Sequence, residues 1–203
     1  MRGALKRRPP MSTFRLVLLL AVFVGIGHAE PIKIVALGGS NTYGKGVSRD
    51  EAYPAQLERL LRAAGYDVVV KNEGTNGQTT VDELRKVHSA VPDGVKIVIF
   101  APGGNDNRSD LSKFVGNSDY NIRTLVQKLL DRHILVLFSG RRDQKQYIED
   151  LDVVMIPPIR RLAPETERQA GDPEHLTPNG YKIVAEKMFS HVTRLLNKVS
   201  KQQ

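Results

Sequence analysis

The stretch of sequence that decides the fold class is IKIVALGGS, at residues 32–40. Its first part, Ile32–Leu37, is short, apolar and rich in β-branched side chains, which predicts a buried strand. The glycine pair Gly38-Gly39 that follows is typical of a tight turn at the end of a strand. We therefore expect Ser40 just beyond the carboxyl end of the first strand.

Apolar runs of strand length alternate with amphipathic stretches of helix length along the rest of the chain. The predicted strands are Ile32–Leu37, Asp67–Lys71, Val95–Phe100, Ile134–Phe138 and Val153–Ile156. The predicted helices run from Tyr53 to Ala64, from Thr80 onward, from about Asp119 to Arg132, and onward from the pair Thr177-Pro178. This order is typical of an α/β fold in which helices cover both faces of an open parallel sheet of about five strands.

Two helix starts carry recognisable capping signals. Residues 80–83 read TVDE, the Thr-x-x-Glu form of a capping box, which predicts that Thr80 caps the second helix. Thr177 followed by Pro178 is typical of a cap and a first helical residue, so the last helix should begin there. Ligands of such a sheet bind beyond the carboxyl ends of its strands, and chemistry should be sought at that edge.

The first 29 residues have the pattern of a secretory signal peptide. A basic start precedes the apolar run Leu16–Ile26, and the small-residue exit ends at Ala29, after which we expect cleavage. The run is shorter than the roughly 20 residues that a spanning helix needs, so a retained anchor is the weaker alternative. The prediction is an exported protein, periplasmic or secreted, with a single domain over residues 30–203.

Composition excludes several functional classes. The 203-residue chain has no cysteine, which excludes a disulfide framework, cysteine-ligated metals and a thiol nucleophile. Five positive charges of the net +8 lie in residues 1–29, which leaves +3 for the other 174 residues, so a nucleic-acid surface is not predicted. The pairs Arg141-Arg142 and Arg160-Arg161 are interpreted as solvated surface. Neither a metal nor an organic cofactor is predicted.

Four segments at the expected edge carry polar or small residues that a core does not require. They are Gly38–Asn41, Asn72–Thr80, Gly103–Asp106 and Asp172–His175. Serine is a weak nucleophile at neutral pH, so acyl transfer needs a base in contact with it and a group that orients the base. Ser40, His175 and Asp172 supply this set. An isolated serine at such a position would be read as the end of a strand, and His175 as a structural cap.

Acyl transfer also needs hydrogen-bond donors for the oxyanion of the tetrahedral intermediate. The backbone N–H groups of Ser40 and Gly77 and the side-chain amide of Asn105 are the candidates. Asn105 has the alternative role of holding loop backbone, and Gly77 is also suited to a positive φ angle. Asp106 is expected to brace its loop rather than to take part in catalysis.

Taken together, these segments resemble the SGNH or GDSL hydrolase family. Ser40, Gly77, Asn105 and His175 stand at the four signature positions in the expected order, and the set is more specific than any one motif. Residues 76–80 (NGQTT) and 103–106 (GGND) look like the bacterial branch of arylesterases, acyl-thioesterases and lysophospholipases. The resemblance implies a flavodoxin-like three-layer α/β/α sandwich and a metal-free serine hydrolase with an Asp172–His175–Ser40 triad.

The sequence also departs from the family pattern. The usual Gly-Asp-Ser-Leu block is Gly38-Gly39-Ser40-Asn41 here, and we expect Gly39 to make the turn more flexible. The segment between Ser139 and Asp172 is charged and compact, which indicates an open, polar substrate surface. The function expected is hydrolysis of short acyl or acetyl-sugar esters. The alternatives are a thioesterase or lysophospholipase, and a non-catalytic protein that binds envelope glycans.

Overall fold

Five parallel strands form the central sheet of the computed structural model, which describes residues 30–107 and 116–201. The strands are β1 (Ile32–Gly38), β2 (Val68–Gly74), β3 (Val95–Ala101), β4 (Leu135–Ser139) and β5 (Val153–Ile156). Their order across the sheet is β2-β1-β3-β4-β5, and each neighbouring pair is parallel. The predicted fold class is confirmed, and each predicted strand lies within three residues of its observed bounds.

The register of the central strands aligns their carboxyl ends. Gly38, the last residue of β1, lies opposite Gly74 at the end of β2 and opposite Ala101 at the end of β3. The segments that follow these three strands therefore leave the sheet at the same edge. This edge is where sequence analysis predicts the chemistry.

Helices cover both faces of the sheet because successive side chains of a strand point to opposite sides. The helices are α1 (Ser40–Tyr43), α2 (Tyr53–Ala63), α3 (Thr80–Ala90), α4 (Ser118–Leu130), α5 (Arg142–Lys145), α6 (Ile159–Leu162) and α7 (Pro178–Ser200). Ile34 and Ala36 of β1 pack with α2 and α7 on one face. Val35 and Leu37 pack with α3 and α4 on the other. The result is a three-layer sandwich.

The start of α3 differs from the prediction by one residue. Thr79, not Thr80, is the N-cap: its hydroxyl accepts a hydrogen bond from the Asp82 backbone N–H, and the Asp82 carboxylate accepts one from the Thr79 N–H at 3.1 Å. Two overlapping Thr-x-x-acid patterns were present, and Asp82 completes the box although glutamate is the commoner partner. Glu83 is thereby released to the buried face of the helix.

The segment that carries His175 forms a strand rather than the loop that the sequence indicated. Asp172–Leu176 (β7) pairs antiparallel with the two-residue strand Arg168–Gln169 (β6). The sequence of β7 is DPEHL, which has little β propensity, so local pattern could not reveal this hairpin. The start of α7 agrees with the prediction, since the Thr177 hydroxyl accepts a hydrogen bond from the Gly180 N–H.

The predicted signal peptide, residues 1–29, lies outside the described residues. From Pro31 onward the chain forms one compact unit. Across residues 30–107 and 116–201, no helix combines the length and the apolar character needed to cross a membrane.

A matched pair of valine substitutions tests the assignment of buried and exposed strand positions. Val98 on β3 is fully buried, whereas Val69 on β2 is 42% exposed. Val98→Ala should lower the free energy of unfolding by about 2 kcal/mol, because two buried methyl groups are lost and a cavity remains. Val69→Ala should change it by less than about 0.5 kcal/mol. Equal effects in urea denaturation would contradict the assignment.

Candidate active site

Ser40 begins α1 directly after the turn Gly38-Gly39 and is half-buried. Gly39 adopts an extended conformation with φ −86° and ψ −151°. A Cβ atom at Gly39 would lie 2.7 Å from the Cα of Gly103, closer than real atoms approach. Gly39 therefore has a packing role against a second glycine, and the expectation that it makes the turn more flexible stays a prediction.

His175 connects Ser40 to Asp172. Its Nε2 lies 2.8 Å from Ser40 Oγ, and its Nδ1 lies 2.7 Å from Asp172 Oδ2. The His175 side chain is 9% exposed, so its orientation is held by packing as well as by these two contacts. The structure thus brings together the three residues that the sequence proposed as a triad, although Ser40 and His175 are 135 positions apart.

Asp172 is held as an acceptor for the histidine. The hydrogen bond from His175, supported by the backbone N–H of Glu174, keeps the pKa of the Asp172 carboxyl below its ordinary value. Asp172 therefore stays ionised at neutral pH. An ionised carboxylate accepts the Nδ1 proton and leaves Nε2 as the free base that faces Ser40.

Asn41 stands at the position where the family usually has leucine. It connects the segment that carries Ser40 to strand β7, which carries His175. Its side-chain amide donates to the carbonyl oxygen of Glu174 at 3.2 Å. Its side-chain oxygen accepts a hydrogen bond from the hydroxyl of Tyr181, a residue with no exposed surface, at 3.3 Å. Asn41 therefore satisfies a buried hydroxyl and at the same time links Ser40 to the residue before His175.

The predicted oxyanion residues lie in the segments after β2 and β3. Gly77 is exposed and has φ +75°, which agrees with the conformational role proposed for it. The side-chain amide of Asn105 donates to the carbonyl oxygen of Gln78 at 2.9 Å. Asn105 thus holds the adjacent loop, and its second N–H remains as a potential donor. Oxyanion binding by Ser40, Gly77 and Asn105 stays a prediction.

Two acidic side chains attach the Gly103–Asp106 segment to α3. Asp106 accepts hydrogen bonds from the backbone N–H and the hydroxyl of Thr80 at 2.8 and 2.6 Å, so its predicted bracing role is confirmed. Glu83 Oε1 accepts a hydrogen bond from the Gly103 N–H at 3.1 Å. The backbone around Asn105 is therefore anchored from both ends.

Glu83 is the buried ionisable group that sequence analysis missed. Its side chain has no exposed surface, and its Oε2 has no hydrogen-bond partner within the described parts of the chain. Burial raises the pKa of Glu83 to about 8, so the carboxyl is mainly protonated at neutral pH. A signal was present: residues 80, 83, 87 and 90 recur at helical spacing and all are buried.

A groove with a volume of about 230 Å³ adjoins Ser40 and crosses the ends of β3, β4 and β5. Gly39, Gly103 and Gly104 line it on the side of the serine. In residues 30–107 and 116–201, no cluster of three histidine, aspartate or glutamate side chains has an arrangement that could hold a metal ion.

The chain matches the model of the GDSL-like lipase/acylhydrolase family over residues 36–172. The chain belongs to this family. Ser40, Gly77, Asn105 and Asp172 lie inside the matched range, and His175 lies three residues beyond it. Membership makes the protein a hydrolase of carboxylic ester bonds.

Solved structures share the fold of this hydrolase. The psychrotrophic esterase EstA from Pseudoalteromonas sp. is 18% identical with a TM-score of 0.68, and the match covers 81% of this chain and 98% of that chain. The Clostridium thermocellum family 3 carbohydrate esterase is 19% identical with a TM-score of 0.66, with coverage of 83% and 98%. AlinE4, an SGNH-hydrolase family esterase, is 25% identical with a TM-score of 0.59, with the same coverage. None of the curated proteins compared with the chain matches it.

Gly39→Ala tests whether the hydrolase needs the close approach of the two glycine backbones. The added methyl group must displace Gly103, so we expect a loss of about 1–3 kcal/mol in stability and a fall of at least about 10-fold in kcat for p-nitrophenyl acetate. Gly104→Ala is the matched control for stability, because nothing lies within 4 Å of its Cβ position. Equal stability of the two variants would contradict the packing argument.

Glu83→Gln tests the buried carboxyl. Because its pKa rises from 4.5 in the unfolded chain to about 8 in the fold, the folded protein holds a proton that the unfolded chain releases between these pH values. Stability should therefore fall as the pH rises from about 5 to 8, by up to about 1.4 kcal/mol per pH unit. The glutamine variant cannot titrate and should lose this dependence. Parallel Tm profiles of the two proteins would contradict the assignment.

Proposed function

We propose that this hydrolase is an exported serine esterase that cleaves short acyl esters or acetyl esters of sugars through an acyl-enzyme on Ser40. The observation that carries the proposal is the continuous contact from Asp172 Oδ2 through the His175 imidazole to Ser40 Oγ, with distances of 2.7 and 2.8 Å. A serine hydroxyl becomes an effective nucleophile when a base within this distance removes its proton.

The reaction follows from these contacts in two halves. Ser40 Oγ attacks the ester carbonyl carbon while its proton passes to His175 Nε2, and the carbonyl electron pair moves to the oxyanion. The bond to the alcohol oxygen then breaks, and the proton passes from Nε2 to the leaving alcohol. Water repeats the sequence on the acyl-enzyme and releases the acid. Asp172 holds the imidazole and stabilises its protonated form.

Three donors are assigned to the oxyanion in this proposal. They are the backbone N–H groups of Ser40 and Gly77 and the second side-chain N–H of Asn105. The bracing of the Asn105 segment by Glu83 and Asp106 supports the assignment, because oxyanion donors act by being fixed before the reaction begins. Loss of one such donor typically costs about 10²–10³ in turnover.

The groove supports small substrates. Its volume of about 230 Å³ is below the roughly 300–1,000 Å³ of sites for larger ligands, and polar residues such as Ser139 and Gln144 contribute to its lining. A long acyl chain would have little apolar surface to cover. The similarity in fold to a carbohydrate esterase agrees with acetyl-sugar substrates, and thioester or lysophospholipid hydrolysis is the alternative within the family.

Non-catalytic glycan binding was the alternative from another functional class. Its motivation was the replacement of the usual residues around Ser40 by Gly39 and Asn41. Both residues are accommodated by specific packing and hydrogen bonds, and Ser40 remains in contact with His175. These contacts favour the esterase. Export, to the periplasm or outside the cell, rests on the pattern of residues 1–29.

Ser40→Ala tests the nucleophile. The variant should lose at least about 10³-fold of p-nitrophenyl acetate and butyrate hydrolysis and should no longer be labelled by a fluorophosphonate probe, which forms a covalent bond to an activated serine. Ser89→Ala, an exposed serine on α3, is the matched control and should retain both properties. Labelling that persists in Ser40→Ala would exclude Ser40 from the mechanism.

A further inference from the structure

The two arginine pairs that are predicted to be solvated surface, Arg141-Arg142 and Arg160-Arg161, both contribute to the groove beside Ser40. Arg141, Arg160 and Arg161 all line it, and Glu174 is the one acidic residue among the described residues of the lining. The side chains of Arg141 and Arg160 are 44% and 40% exposed, as the prediction of solvated surface requires, but the fold places three of the four arginines together. Three of the described residues that line the groove are thus arginines, whose guanidinium groups are charged at every physiological pH.

The arginines converge because of strand pairing. Ser139 at the end of β4 lies opposite Ile156 at the end of β5, so the segments after these strands leave the sheet side by side. Arg141 follows the first strand, and its backbone N–H donates to the side-chain oxygen of the buried Gln144 at 2.9 Å. Arg160 and Arg161 lie on helix α6, after the second strand.

The positive charge of the groove is only partly compensated. Arg160 pairs with Glu174 at 3.2 Å, and Arg141 pairs with Asp143, which does not line the groove, also at 3.2 Å. The side chain of Arg161 makes no hydrogen bond or ion pair with any residue that the structure describes. An anion in the groove would therefore meet at least one guanidinium without an existing partner.

We infer that the groove selects esters that carry a carboxylate a few atoms from the scissile bond, on either the acyl or the alcohol part. Guanidinium groups bind carboxylates by paired N–H donors, which gives both charge recognition and orientation. The volume of about 230 Å³ matches a short acidic substituent rather than a chain of many carbons. The inference rests on the proposed serine esterase and names its substrate class.

Two pairs of ester substrates distinguish recognition of a carboxylate on the acyl part from recognition of a carboxylate on the alcohol part. The first pair is mono-4-nitrophenyl adipate and the corresponding adipamide ester, which differ only in the far end of the acyl chain. The second pair is 4-acetoxybenzoate and 4-acetoxybenzamide, which differ in the alcohol. The measured quantity is the ratio of kcat/KM for the carboxylate to that for the amide, with the rate of Ser40→Ala subtracted as background.

The wild-type protein should prefer the carboxylate by roughly 10-fold in at least one pair at low ionic strength. Arg161→Gln should reduce this ratio about 3-fold, and Arg141→Gln with Arg161→Gln should bring it close to 1, since each exposed charge pair contributes a small factor. Arg62→Gln, an exposed arginine on α2, is the charge-matched control and should leave the ratio unchanged. The preference should also decrease as NaCl is raised, because salt screens exposed charges.

A ratio near 1 in both pairs, or a preference that survives the double variant, would overturn the inference. In that case, if the two esters that carry a carboxamide are still hydrolysed and the hydrolysis depends on Ser40, the proposed serine esterase function would stand. If all four substrates and the fluorophosphonate probe fail to react with the wild-type protein, the proposed function is wrong and the inference falls with it.

Discussion

Parallel pairing of β1 with β2 on one side and β3 on the other is the constraint on which the site depends. Gly38 lies opposite Gly74 and Ala101, so three segments distant in sequence leave the sheet at one edge. A slip of one residue in either ladder would turn the buried side chains of β1 to the wrong faces, so burial on both sides holds the register. The contact of Gly39 with Gly103 exists only in this register, and only because neither residue has a side chain.

His175 is positioned at this edge by the β6-β7 hairpin, which is not part of the central sheet. The β6-β7 hairpin is attached to the residues just after α1 by Gln169, whose side chain donates to the carbonyl oxygen of Lys45 at 2.7 Å. Within the hairpin the same side chain donates to the carbonyl oxygen of Leu176 at 2.8 Å. Asn41 adds a second attachment at Glu174. The hairpin thus fixes the distance between His175 and Ser40, which a loop would leave variable. Contacts between residues more than 120 positions apart set the geometry of the triad.

Two charged or ionisable features lie close to the site, the buried carboxyl of Glu83 and the arginines of the groove. Burying Glu83 with no partner for Oε2 among the described residues costs stability, yet the same carboxyl holds Gly103 where the Asn105 segment begins. The groove that adjoins Ser40 is lined by three arginines, so positive charge lies close to the Asp172–His175–Ser40 contacts.

The sequence by itself determined the order along the chain of the five sheet strands and the four long helices, and it identified Ser40, Asp172 and His175 as a set at one edge of the sheet. These features depend on local periodicity, on glycine turns and on residue types that are rare in a core, all of which are visible in short windows. The family resemblance then assigned these separate segments to one predicted site.

Only the tertiary structure decided which of these short sequence segments are in contact with one another. The choice of Asp82 over Glu83 as capping partner followed from the burial of Glu83 beneath Gly103. The hairpin around His175 and the packing of Gly39 had no local signal that could reveal them. The meeting of Arg141 with Arg160 and Arg161 required the pairing of β4 with β5. Each of these results depends on the distance between residues far apart in sequence, which the fold sets and a linear pattern does not contain.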